Sequence, residues 1–476
     1  MKKNDNLRKF TKLLIHILIV LVFEVYIQST SNSIHQNIKL IIGIIILLVL
    51  IISYIYNKKK KLTSTNITNI IIIIGILLRT MYIIYTPITE RQHDVGDFDD
   101  AGHLSYINTI YETGRLPETN EWQYYHPPLH HFLSAVWLKT NEVLFNVPSI
   151  YVNIEGLQIL TLLFSSLTLF VISQILSRLK IKNIYKYLTV LFFSVNPTMI
   201  ILSGSINNDC LEYLIQFMIL LYMLKYYESP TSKNSLILGI ITGLCMLTKF
   251  NGIIMLGPIT ILFLYKLYKE RNFKEIIKNY SIVLVIALVL GLSYQIRNYI
   301  LFGSISIPNP TEHLSVKQYS IFKRMIIPSF TNIYEKFCNL TNDYNIFSFI
   351  VKNSIFGEYK YNIPNIFYNL YVSINLLLII LSTVLLIKNI KTIFKDKINL
   401  LLISNYVITM LSFYYFNYMY PYTCTMDFRY IVPTLLTGIV MLVMESNKTK
   451  SKYIRYLIDI PIILFIVLSI IFIFII

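Results

Sequence analysis

Between Arg91 and Leu138 the chain gathers side chains that move protons and hold cations. Four aspartates, Asp94, Asp97, Asp99 and Asp100, fall within seven residues, and five of the eight histidines, His93, His103, His126, His130 and His131, share the stretch. A carboxylate can serve as a general base toward a hydroxyl group. Asp97-Phe98-Asp99 is also a DxD, the element that binds a metal and diphosphate in nucleotide-sugar transferases, so a divalent metal is possible, although none is firmly implied. His126 and His130 lie four apart, a spacing that can set two ligands on one helix face. Pro127 opens the helix between them, which favours structural or substrate-binding roles. Cations that could steady a leaving phosphate stand further along, at Lys249, Arg297 and Arg429, with one more acid at Glu358. Each has a plainer reading. Asp99 can cap a helix, Lys249 can snorkel, Arg297 and Arg429 can anchor helix ends at headgroups, and Glu358 can add solubility.

The elements that must position these residues are apolar. Of 476 residues 55% are hydrophobic and only 14% are charged, and mean hydropathy is +0.59. A soluble domain carries about 25% charged residues. Thirteen apolar segments are expected, at about 11–28, 38–56, 68–86, 155–177, 185–204, 209–227, 236–248, 252–268, 280–300, 366–387, 399–417, 430–445 and 455–475. Several approach the roughly 20 residues that cross a bilayer as a helix. None alternates as a barrel strand would. The expectation is one all-α polytopic membrane domain over residues 1–476.

The net charge of +17 does not indicate nucleic acid. Its lysines and arginines fall in every second loop, such as Lys58–Lys61, Arg178–Lys186 and Lys388–Lys397, whereas Ser29–Asn37 and Gly204–Asn208 carry none. By the positive-inside rule the basic loops are cytoplasmic, with the N-terminus inside and the C-terminus outside. Two long loops, about 87–153 and 301–365, then face out. In the first, a helix is expected from an Asp cap at Asp99-Asp100 to Thr113, with Gly114 ending it. A second is expected from Pro127, with Leu129, Phe132, Leu133, Val136 and Trp137 as an amphipathic face along the membrane surface. Gly239 and Gly243 form a GxxxG, expected to pack segments seven and eight as a tight pair with Lys249 near the outer face. Four scattered cysteines give no disulfide framework, and Cys338 is not expected to pair with Cys424.

An acidic site outside the cytoplasmic membrane has no ready supply of nucleotide donors, so an enzyme there needs either water or a donor carried through the membrane, a need that a polyprenyl-phosphate sugar meets. The chain resembles the GT-C superfamily of membrane glycosyltransferases, similar to the protein O-mannosyltransferases, the lipid A aminoarabinose transferases and the bacterial RgtA/B/C/D-like group. The resemblance lies in Asp99-Asp100 of the first outer loop, in His126-Pro127-Pro128-Leu129, and in His93-Asp94-Val95-Gly96. It extends to Thr248-Lys249-Phe250-Asn251-Gly252, Arg297-Asn298-Tyr299, Phe356-Gly357-Glu358 and Asp427-Phe428-Arg429-Tyr430. It implies a polyprenyl-phosphate sugar donor, an envelope acceptor (glycan, lipid or protein), an aspartate base and inversion. Asp94, Asp99 and Asp100 are then the catalytic candidates, with a slight preference for Asp94. His93, His103, His126, His130, Lys249, Arg297, Glu358 and Arg429 are the substrate-binding ones.

The chain departs from the pattern in three places. The acidic pair is Asp-Asp rather than Asp-Glu. His126 stands where the aminoarabinose transferases have a lysine on the lipid phosphate. Two extra spans, within 1–66, precede the span that leads into the acidic loop, where relatives commonly have one. The rival readings are a transporter or flippase, for which Glu24 and Glu212 are the few ionisable residues in spans, and a non-catalytic envelope-assembly protein. The composition, rich in isoleucine, asparagine, lysine and tyrosine, suits a bacterium with AT-rich coding sequence.

Overall fold

Backbone polar groups in lipid must bond within their own segment, which leaves helices as the way to cross. The computed structural model describes residues 32–88, 90–96, 101–145, 150–270, 272–305, 314–339, 343–391 and 396–476. The first expected span, about 11–28, and three of the loop aspartates, Asp97, Asp99 and Asp100, lie outside these. Every other expected segment is helical.

The chain runs through α1 (Asn32–Lys58), α2 (Ser64–Tyr85), α3 (His103–Thr113), α4 (Leu129–Phe145), α5 (Ile150–Ser177) and α6 (Asn183–Val195). It continues with α7 (Pro197–Ile201), α8 (Asp209–Glu228), α9 (Ser232–Thr248), α10 (Leu256–Glu270), α11 (Phe273–Gly291) and α12 (Ser293–Phe302). The last third holds α13 (Phe330–Tyr334), α14 (Ile346–Phe356), α15 (Asn365–Ile390), α16 (Lys397–Met419), α17 (Thr434–Lys448) and α18 (Lys452–Ile475). No strand occurs among the described residues; one antiparallel bridge, Ser315 to Tyr422, ties the second long loop to the last. The protein is an all-α polytopic membrane protein.

Among the described residues eight helices are long and apolar enough to cross a membrane, or ten if two bent pairs each make one span. Twelve of the thirteen expected spans fall within these residues, so at least two are not counted. Charged residues at Asp209, Glu212, Lys225 and Glu228 reduce the apolarity of α8, and α9 has only 17 residues. The apolar α1 leaves Leu40, Leu47, Leu48 and Ile52 exposed on a side that lipid can cover.

The bend of 52° between α6 and α7 has an identifiable cause. Pro197 has no N–H to continue the helix, and Asn196 caps the next turn by accepting from Met199 N at 3.2 Å. Carbonyls at the break lose their partners. Arg79 of α2, 0% exposed, supplies them: it donates to Phe193 O at 3.1 Å and Ser194 O at 2.8 Å, and its Nε donates to Ser165 Oγ at 2.9 Å.

Other expectations are corrected. Helix α3 begins at His103 with Gly102 as its N-cap residue, and it ends at Gly114 in the left-handed region at φ 66°; the aspartates expected to cap it lie outside the described residues. Helix α4 begins at Leu129, two residues later than expected, because Phe132 N takes Pro128 O as its first helical acceptor. Its expected apolar face splits. Phe132 and Val136 are exposed, whereas His130, His131, Ser134, Ala135 and Leu138 turn inward. The glycines of the GxxxG pack α9 on α11 rather than on segment eight: a Cβ on Gly239 would lie 3.1 Å from Val283 O, and one on Gly243 2.7 Å from Leu290 Cβ. Cys338 and Cys424 form no disulfide.

Removing Arg79 leaves buried carbonyls without donors, each costing about 1–3 kcal/mol. We expect Arg79→Met to lower stability by at least about 3 kcal/mol. Thermal unfolding of purified protein in detergent checks this; an unchanged midpoint would show that the break does not depend on Arg79.

Candidate active site

The polar residues converge because helix ends do. Asp94 follows α2, Asp209 opens α8 and Lys249 closes α9. Glu358 lies just past α14; between α16 and α17, Asp427 sits between two 3-10 turns, Thr423–Met426 and Phe428–Ile431, and Arg429 lies in the second. The first long loop is docked at its start by Gln92. Its amide donates to Gly204 O at 2.9 Å and accepts from Ile206 N at 2.9 Å.

Asp94 is held in a backbone conformation that costs a non-glycine residue roughly 1 kcal/mol, with φ +56°. Two cross-loop hydrogen bonds hold it there, His103 N to Asp94 O at 3.2 Å and Leu104 N to Val95 O at 2.8 Å. The two chains approach so closely at this point that a Cβ on Gly102 would lie 2.6 Å from Gly96 Cα. The turn aims the Asp94 carboxylate at Arg429.

Arg429 is the hub. Its guanidinium lies 3.0 Å from Asp94 Oδ2, 3.3 Å from Asp427 Oδ2 and 3.7 Å from Asp209 Oδ2. Its position is fixed by backbone contacts: Arg429 N donates to Asp427 Oδ1 at 2.8 Å, and Tyr213 donates to Arg429 O at 2.7 Å. A second ion-pair centre adjoins it. Lys249 Nζ meets Asp209 Oδ1 at 2.5 Å and Glu212 at 3.8 Å, and sits 4.9 Å from the Tyr430 ring centroid. Lys249 is therefore a buried, paired cation and not a snorkelling one. Asp209, Asp427 and Arg429 are all buried, whereas the Asp94 side chain is 33% exposed.

His93 lies on the other side of Asp427. Its Nδ1 is 3.6 Å from Glu358 Oε2, and its ring is 5.1 Å from that of Tyr359. Burial pushes the His93 imidazole down and Arg429 adds to this, but the nearby carboxylates of Glu358 and Asp427 outweigh both and leave it raised. Glu358 is aimed by Gly357, whose φ +59° and ψ −152° suit glycine alone.

The remaining histidines form an aromatic bank beside the cluster. His103 stacks on His126 and His131 at centroid distances of 5.5 and 5.1 Å, and its Nδ1 shares a hydrogen with His131 Nε2 across 2.8 Å. His131 stacks on Tyr106 at 4.0 Å, and His130 meets it edge-on. Burial pushes the His130 imidazole down to about 4, against the pull of Asp209. Burial and then the neighbouring histidines push His103 and His131 well down too.

Of the sequence candidates, the structure brings His93, Asp94, Lys249, Glu358 and Arg429 into one cluster, with His103, His126 and His130 beside it. Asp99 and Asp100 lie outside the described residues. Arg297 is engaged elsewhere, donating to Pro117 O at 2.6 Å and Asn298 Oδ1 at 3.1 Å. Sequence reasoning missed Asp209 and Asp427 as members and saw Glu212 only as an isolated acid in a span. The available signal was Asn207-Asn208-Asp209, a polar run between two apolar segments.

The arrangement offers one accessible carboxylate backed by a buried guanidinium and a buried ammonium. It can accept a proton at Asp94 and present positive charge beside it. This fold and the family comparison support a membrane glycosyltransferase of the GT-C type. Residues 125–294 match the family model described as dolichyl-phosphate-mannose-protein mannosyltransferase, a GT-C superfamily domain. His126, His130, Asp209 and Lys249 fall inside the match, and His93, Asp94, Glu358, Asp427 and Arg429 fall outside it. No curated protein matches the chain.

Two outcomes are expected. Asp209→Asn leaves Lys249 and Arg429 short of a buried counter-charge, and breaking such a pair costs about 3–5 kcal/mol; chemical or thermal unfolding in detergent reads it. The histidine bank gives the second. A ring whose folded pKa is depressed lets the unfolded chain bind more protons on acidification. Stability is therefore full above about pH 6.5 and falls as pH drops toward 4. His130 alone contributes on the order of 3 kcal/mol of this loss, so the unfolding midpoint of His130→Asn should fall less steeply over that window. Equal slopes would contradict the assignment.

Proposed function

We propose that the protein transfers a sugar from a polyprenyl-phosphate carrier to an envelope acceptor at the outer face of the cytoplasmic membrane. Asp94 takes the proton from the acceptor hydroxyl. The acceptor oxygen then attacks the anomeric carbon, the bond from that carbon to the phosphate oxygen breaks, and the phosphate leaves with the electron pair, inverting the centre. Lys249 and Arg429 steady the leaving phosphate. Asp99 and Asp100 are the alternative bases.

One observation carries the choice of Asp94: it is the exposed carboxylate of the cluster, 33% accessible, held 3.0 Å from a buried arginine by a strained backbone. Backbone strain concentrates at functional sites. The match of residues 125–294 supports a lipid-linked donor. The alternation of basic loops supports an outer site.

The test is sugar release from a panel of radiolabelled polyprenyl-phosphate hexoses by purified wild type, Asp94→Asn and Asp99→Asn. Water can stand in for the acceptor. We expect turnover by wild type and a loss of about 10²–10⁴-fold in Asp94→Asn. Full activity in Asp94→Asn with loss in Asp99→Asn would move the base to Asp99. No turnover with any donor, in water or with envelope acceptor fractions, would overturn the transferase reading.

A further inference from the structure

His93, Glu358 and Asp427 come from three separate parts of the chain, yet a ring nitrogen of the first and one carboxylate oxygen from each of the others lie within 4.8 Å of one another. His93 precedes the strained Asp94 turn, Glu358 is delivered by the Gly357 bend, and Asp427 sits between two 3-10 turns. Such convergence is unlike a solvated acidic surface. His93 is 6% exposed, Asp427 2%, and the Glu358 side chain 13%.

The hydrogen bonding of these groups is incomplete. Buried Glu358 Oε1 and Asp427 Oδ2 accept no hydrogen bond, and the nearest cation to Asp427 Oδ2 is Arg429 Nε at 3.3 Å. A buried carboxylate oxygen without a donor costs about 1–3 kcal/mol or more. The charge balance points the same way. Among the described residues, Asp94, Asp209, Glu212, Glu358 and Asp427 lie around two permanent cations, Lys249 and Arg429. A dication between His93, Glu358 and Asp427 would bring positive charge to these buried carboxylates.

We propose that His93, Glu358 and Asp427 bind one divalent transition-metal ion of the Zn²⁺ or Mn²⁺ type. One imidazole and two carboxylates are ligands that such ions accept, and a three-residue set leaves a coordination position open. Ligands at about 2.1 Å from one ion stand roughly 3–3.5 Å apart, so the three groups close by rotation of their side chains. Tyr359, packed on the His93 ring, limits that ring's movement. The ion would sit beside Arg429 and, on the transferase reading, extend the positive field that meets the donor phosphate.

Metal binding is measured without donor or acceptor, so it succeeds or fails independently of sugar transfer. Purified full-length protein is stripped with chelator, dialysed against Zn²⁺ or Mn²⁺ alone, and its metal counted by mass spectrometry. We expect one ion per chain in wild type. His93→Gln and Glu358→Gln should each weaken binding at least tenfold, while Glu142→Gln, a surface carboxylate change, should leave it intact. Co²⁺ loaded into wild type provides a measurement that needs no variant to fold: bound cobalt should give the intense visible bands of a four- or five-coordinate ion. Absence of a stoichiometric ion, equal affinity in His93→Gln and Glu358→Gln, or the weak spectrum of hydrated Co²⁺ would each overturn the proposal. Metal binding without transfer would retire the transferase reading alone.

Discussion

A buried guanidinium constrains the whole loop end of this bundle. Arg429 is 6% exposed, and a charge removed from water must be answered by opposite charge at close range. Its own turn provides Asp427. The rest must come from afar: Asp209 opens a helix more than two hundred residues earlier, and Asp94 belongs to a loop 335 positions away. Meeting that demand fixes the first long loop against the last one. It also accounts for the φ +56° at Asp94, which the pull of Arg429 and two cross-loop hydrogen bonds hold in place.

The same rule operates with different partners elsewhere. Arg79 is buried completely, yet the contacts it makes are a serine hydroxyl and backbone carbonyls, including those freed by the break at Pro197. Lys352 is buried against Asp343 at 2.7 Å and the Phe337 carbonyl at 3.2 Å, and it holds the second long loop onto α14. Both are closed arrangements, with the cation enclosed by the groups it stabilises. Arg429 differs because one of its partners, Asp94, reaches solvent. A buried cation with an accessible partner can respond to a ligand, whereas the other two can only hold structure.

The helices and their order were legible because lipid imposes a simple pattern, long apolar runs separated by short polar ones. Span count was less legible. Length and hydropathy leave α8 and α9 out, since α8 carries the acids of the cluster and α9 stops at the lysine that pairs with them. Residue types singled out Asp94, His93, Lys249, Glu358 and Arg429, and these do meet. What the sequence hid was pairing. Nothing local to Asp209 marks it as the partner of Lys249, forty residues on, and nothing in GxxxG says which helix its glycines face. Arg297 shows the converse: its type and position suited a phosphate, but a carbonyl of the first loop lay within reach.

The charge balance of the site also decides what it can hold. Its two permanent cations are already paired with carboxylates, so a phosphate entering the cluster must compete with them. Repulsion at close range in a poorly solvated site is severe. Neutralising some of those carboxylates, by protons or by a further cation, would ease that competition. Protons on Asp94 would remove the base that transfer needs. A cation on the far side of Asp427, against His93 and Glu358, leaves Asp94 ionised and frees Arg429 to turn from Asp427 toward an incoming anion. A cation held by these three side chains would therefore serve the proposed reaction.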